Sequence, residues 1–124
     1  MVVALGGNLT GDISICTLPA KTVVRNVYLV VDTQATNGGG TLTGAVGYTA
    51  AAYIDYINPS SLMAAAGTVY GGVAGDRGTA LTGYDLPNYT GTKTLYMHLI
   101  STVNNLNTIT TCTGHVVICT ELIL

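Results

Sequence analysis

Charge is what this chain has least of. Asp, Glu, Lys and Arg make up 8% of its residues, against about 25% in typical soluble domains. The four cations, Lys21, Arg25, Arg77 and Lys93, are scattered, and the formal net charge is -2. Binding to a nucleic-acid backbone needs clustered cations that displace counterions, so no direct nucleic-acid partner is expected. No apolar run approaches the ~20 residues of a membrane-spanning helix, so no membrane partner is expected either. The opening MVVALGG has no cationic start, and its apolar run is too short for a secretory signal peptide. Phe and Trp are absent. Three cysteines, Cys16, Cys112 and Cys119, are an odd number at spacings that fit no zinc pattern. They read as small buried hydrophobes, with a cross-strand bridge between two of them left open.

Catalytic constellations are missing as well. His98 and His115 are the only histidines. Both lie among hydrophobes in strand-like stretches and read as structural or interface residues, with no third metal ligand at a suitable spacing. Asp55, Asp76 and Asp85 are too scattered to establish the two facing carboxylates of a glycosidase. No Ser-His-Asp order is apparent. The glycines Gly38 to Gly40 are followed by neither the GK[ST] of a phosphate loop nor a helix, and no EF-hand pattern occurs. No catalytic, cofactor-binding or metal-binding residue is assigned, and no enzyme activity is expected.

What is present is strand pattern. Lys21 to Thr33, KTVVRNVYLVVDT, alternates with period two and is rich in β-branched residues. Val23, Val27, Leu29 and Val31 share one parity. Val24, Asn26, Tyr28, Val30 and Asp32 share the other, which is only half polar, as in a sandwich or beneath a neighbouring subunit. Asp12 to Leu18 alternates with Ile13 and Ile15 inward, then turns at Pro19. Thr41 to Val46 places Leu42 and Val46 inward. Thr94 to Val103 carries Leu95, Met97, Leu99 and Val103 on one parity. Gly114 to Leu122 is apolar on both, which suits a central strand or one covered by a subunit. The last three residues, apolar to the end, are expected to pack down.

The middle of the chain is a long excursion rich in Gly, Tyr and Ala. Residues 48–57 fit either two helical turns or a strand. Asn58-Pro59 is a break, after which Ser60 or Ser61 caps a short helix through Ala66 that Gly67 ends. Gly71 to Asn88 reads as a loop with a pairing segment at Thr79 to Thr82, and loops this long are usually functional. Six of the eight tyrosines fall between Tyr48 and Tyr89. Tyrosine joins a large contact area to a polar tip, which favours interfaces; the alternative is that these rings cover the flank of a small core. The candidate interface residues are Tyr53, Tyr56, Tyr70, Tyr84 and Tyr89, with Arg25, Arg77 and Leu5. The fold class expected is all-β: a single antiparallel sandwich domain over residues 1–124, jelly-roll-like, with one short helix and residues 1–8 as an N-terminal arm.

The run DISICTLPAKTVVRNVYLVVDT, the Gly-rich turn with LTGAVG, the Ala-rich Ser61 to Ala66 and the closing STVNNLNTITT together resemble small β-sandwich structural proteins of tailed bacteriophages. The resemblance covers most of the chain and rests on fold signatures. It implies a non-enzymatic virion protein, foremost a capsid cement or decoration protein. Such a protein is made in the host cytoplasm and sits as a homotrimer on the outer head surface at three-fold positions, against the major capsid protein. A tail, neck or head-fibre subunit is the alternative, followed by a carbohydrate-binding sandwich. The eight residues before the first strand are short for the extended arm some cement proteins carry.

Overall fold

A computed structural model describes residues 7–72, 75–79, 91–109 and 111–122. Among them are seven strands: β1 (Thr10–Leu18), β2 (Thr22–Thr33), β3 (Leu42–Gly47), β4 (Ile57–Ser61), β5 (Val69–Tyr70), β6 (Lys93–Ser101) and β7 (Thr113–Leu122). They form two antiparallel sheets, ordered β1-β6-β3-β4 and β5-β2-β7. Each apolar face buries the other, the two-layer solution that an all-β chain with one dry side per strand requires.

Apart from Tyr56, the core is aliphatic. Val24, Val27, Leu29 and Val31 of β2 meet Leu42 and Val46 of β3, Ile57 of β4, and Leu95 and Leu99 of β6, with Leu62 and Leu106 from the connections. Burying each such side chain contributes about 1.5–3 kcal/mol. Residues expected inward on β1, β3 and β6 do face this core, Ile13, Ile15 and Met97 being only partly covered. β2 departs from a single parity. Val24 is fully enclosed although it lies on the half-polar parity. The pairing with β7 slips between Val24 and Asn26 and again between Val31 and Thr33. Arg25 and Asp32 are therefore extra residues on the β2 side, and each bulge resets which parity faces inward.

Four further expectations are corrected. Residues 48–56 are neither helix nor strand but a series of turns. Asn58-Pro59 does not break the chain; it lies inside β4, at a sheet edge where a missing N–H is tolerated. Leu62 to Ala66 forms turns rather than a helix. Its backbone instead joins neighbouring segments, Leu62 N–H donating to Leu42 O and Ala35 N–H to Leu62 O, each at 2.9 Å. Among the described residues the only helical turn is a 3-10 turn at Leu106–Thr108. Finally, Val103 lies beyond β6 and is exposed. Most of the expected pairing segment at Thr79 to Thr82, and the last two residues, lie outside the described residues.

Two buried polar side chains hold the loops. Asp55 Oδ2 accepts the backbone N–H groups of Tyr48 and Thr49 at 2.7 Å each, and Oδ1 accepts the Thr49 hydroxyl at 2.8 Å. This folds the 48–55 segment back over Gly47, where an added Cβ would lie 2.6 Å from the Tyr53 carbonyl carbon, so glycine is required there. Asn37 fastens the 34–41 loop: its amide donates to Thr41 O at 2.7 Å and Ser101 Oγ at 2.9 Å, and its Oδ1 accepts the Asn104 N–H at 3.2 Å. Replacing Asp55 by Ala strands three donors in a nearly dry site. We expect Asp55→Ala to cost roughly 2–4 kcal/mol, read as a lower urea midpoint with an unchanged slope.

Candidate binding surface

The outer face of the β5-β2-β7 sheet carries a partly exposed apolar stripe. Val30 of β2 is registered against Val69 of β5, and Tyr28 against Val117 of β7. Val69 is 52% exposed and Val117 41%. Cys119, next on the same face, is exposed and free, which corrects its expected burial. The two extra residues of β2 frame this stripe. Bulged out of the ladder, Arg25 reaches Glu121 at 3.0 Å and Asp32 reaches His115 Nδ1 at 2.7 Å. Among the described residues β7 pairs with β2 alone, which makes it an edge strand of that sheet rather than a central one. Leu122, at its end, is 60% exposed rather than packed down.

A second cluster lies on the outer face of the other sheet. His98 and Asp12 stand opposite each other on β6 and β1, with Nδ1 to Oδ1 at 2.5 Å. Tyr53, brought over this face by the 48–55 turns, lies with its ring centre 5.0 Å from that of Tyr96 and 6.2 Å from that of His98. A carboxylate only accepts, so the Nδ1–H of each histidine is the donor, to Asp12 or to Asp32. The pairs therefore orient the rings. No group of three metal-ligating side chains occurs among the described residues.

The sequence-derived candidates separate. Tyr53 takes part in the second cluster. Tyr56 is fully enclosed in the core, edge-on to Tyr48 at 5.6 Å, and is not a surface residue of this chain. Tyr70 is half-buried on β5, its hydroxyl donating to Ser61 O at 2.8 Å. Arg77 is half-buried and bridges to Ile57 through its backbone. Arg25 is exposed beside Glu121. Leu5, Tyr84 and Tyr89 lie outside the described residues. Sequence reading missed both Asp–His pairs, whose members are 86 and 83 residues apart. Only the strand register brings them together.

Between the sheets, open to solvent at its mouth, lies a pocket of about 180 Å³ lined by residues that include Ile13, Leu29, Leu62, Met97, Leu99 and Cys112. It is smaller than the 300–1,000 Å³ typical of ligand pockets. Comparisons with family models, with curated proteins and with solved structures find no match for this chain.

Four groups on the described surface and core hold their protons more tightly than usual. Burial raises Cys16 and Cys112. Burial, then the charge of Asp12 and the neighbouring Tyr96, raises Tyr53; burial, then Asp76, raises Tyr70. Each favours the folded state while protonated, and that contribution is lost as pH climbs past the ordinary thiol value of 9.0 and phenol value of 10.0. The melting temperature is expected to fall steadily above these values. In a pH series of thermal melts, Tyr53→Phe together with Tyr70→Phe should flatten the fall above the phenol value.

Proposed function

We propose that this chain is a non-enzymatic structural protein of a tailed-phage particle, specifically a capsid cement protein. It binds the outer head surface at three-fold positions and stabilises the expanded shell. The observation that carries the reading is the apolar stripe of half-buried Tyr28 and Val30 with exposed Val69 and Val117, on a sandwich with so few charges. A monomer in water gains by hiding such a face, and an assembled particle supplies the cover. The phage-like corner and connections read in the sequence support the same assignment. A jelly-roll-like winding and a trimeric state belong to it.

The mechanism is linkage. A sandwich that touches two capsid subunits only in their expanded arrangement binds that arrangement and not dissociated subunits, so it shifts the balance toward the intact shell. Repetition over a symmetric surface turns a weak contact into a firm attachment. The test is cosedimentation with expanded and unexpanded heads of the phage that encodes the chain. Retention on expanded heads alone is the expected outcome. Attachment only to tails or fibres would transfer the chain to that part of the particle. A single chain with no affinity for any particle component would overturn the reading. Val69→Asp puts a charge into the stripe at an exposed position; it should weaken head binding at least tenfold and leave the melting temperature within a few degrees.

A further inference from the structure

Among the described residues β7 is a ten-residue edge strand that lacks most of the features that usually keep such an edge single, Glu121 being its one acidic residue. It contains no Lys and no Pro. Both bulges of its ladder fall on the β2 side, so β7 itself runs without interruption. Among the described residues no backbone hydrogen bond reaches it from any segment other than β2. An unbroken, nearly uncharged edge of this length is a template for another strand.

We infer that this edge pairs antiparallel with β7 of a second copy, about a two-fold axis at Ile118, joining two three-stranded sheets into one of six. The register follows from side-chain chemistry. The outward residues of β7 are His115, Val117, Cys119 and Glu121, and a self-pairing must set outward residues against outward ones. Centred on Val117, the strand places His115 against Cys119 of the copy. Centred on Cys119, it places Glu121 against Val117. Centred on Ile118, it places His115 against Glu121 and Val117 against Cys119, twice by symmetry. Only this last register sets the carboxylate of Glu121 against the imidazole of His115, a polar pair in place of a polar residue facing an apolar one. It also extends the two ion pairs already present. Asp32, His115, Glu121 of the copy and its Arg25 then follow one another as hydrogen-bonding partners across the junction, with the imidazole between two carboxylates and the second carboxylate against the guanidinium. On the inner face the exposed Leu122 comes to lie over Gly114 of the copy, where no side chain competes for the space. The contact has two-fold symmetry, so it is distinct from any three-fold contact within a cement trimer and does not depend on the virion reading.

Directly opposed residues of an antiparallel pair have Cα atoms about 4.5–5.5 Å apart, within the reach of a disulfide. Cys119 and its own copy are offset by two residues, roughly 8 Å apart, beyond that reach. The full chain carrying Val117→Cys, treated with diamide, should give a covalent dimer in which mass spectrometry maps the introduced thiol to Cys119 of the other chain. The parent chain should give no Cys119-to-Cys119 link. A folded variant that stays uncrosslinked, or a parent chain bridged through Cys119, overturns the inference. Sedimentation gives an independent reading: the parent chain should form even-numbered species, dimers or, where the two-fold contact joins two trimers of the kind proposed above, hexamers, and Glu121→Lys should weaken their association roughly tenfold, since two unfavourable contacts replace two favourable ones. A strictly monomeric or odd-numbered parent, or an indifferent Glu121→Lys, overturns it equally.

Discussion

The structure depends on keeping one twelve-residue strand, β2, dry on its inner side along its whole length. It is the central strand of its sheet, and its valines and Leu29 supply much of the layer that the four-stranded sheet closes over. A strand this long twists, and a strict period of two would carry some of its apolar residues off the core. Two single-residue bulges correct this. Each one ejects a charged residue, Arg25 or Asp32, onto the outer face, and each ejected residue finds an opposite partner on β7. The correction that protects the core thus also builds the charged frame around the apolar stripe.

Loops do the rest through buried polar groups rather than apolar mass. Asp55 and Asn37 each gather the backbone of a connection that has no regular structure of its own. Asp55 positions Tyr53 above the outer face of the β1-β6-β3-β4 sheet, and Asn37 ties the 34–41 loop to the end of β6. In a chain without Phe or Trp, such fixed hydrogen-bonded turns supply rigidity that large aromatic packing would otherwise give.

The strands that alternate cleanly were legible in the sequence, and so was the pairing of two apolar layers. Leu42, Val46, Leu95 and Leu99 were placed inward from their parity alone, and all four are buried. The parity of Val24 was misleading because a bulge leaves no mark in a run of valines. The Ala- and Tyr-rich middle was opaque for a different reason. Its conformation is dictated by Asp55 reaching back to Tyr48 and Thr49 and by the Gly47 contact, tertiary effects that local propensity does not carry. Tyr56 looked like a surface aromatic among others of its kind, and only its place beside the β3–β4 pairing puts it in the core. The Asp–His pairs required register, which no single strand encodes.

The space between the sheets has a mechanical meaning. Closely packed interiors resist compression because there is nowhere for atoms to go. Here the side chains of Ile13, Leu62 and Met97 border an open gap and lack neighbours on that side. The two layers are therefore held together less tightly at that end, and a bulkier side chain there would have room that the rest of the core denies it.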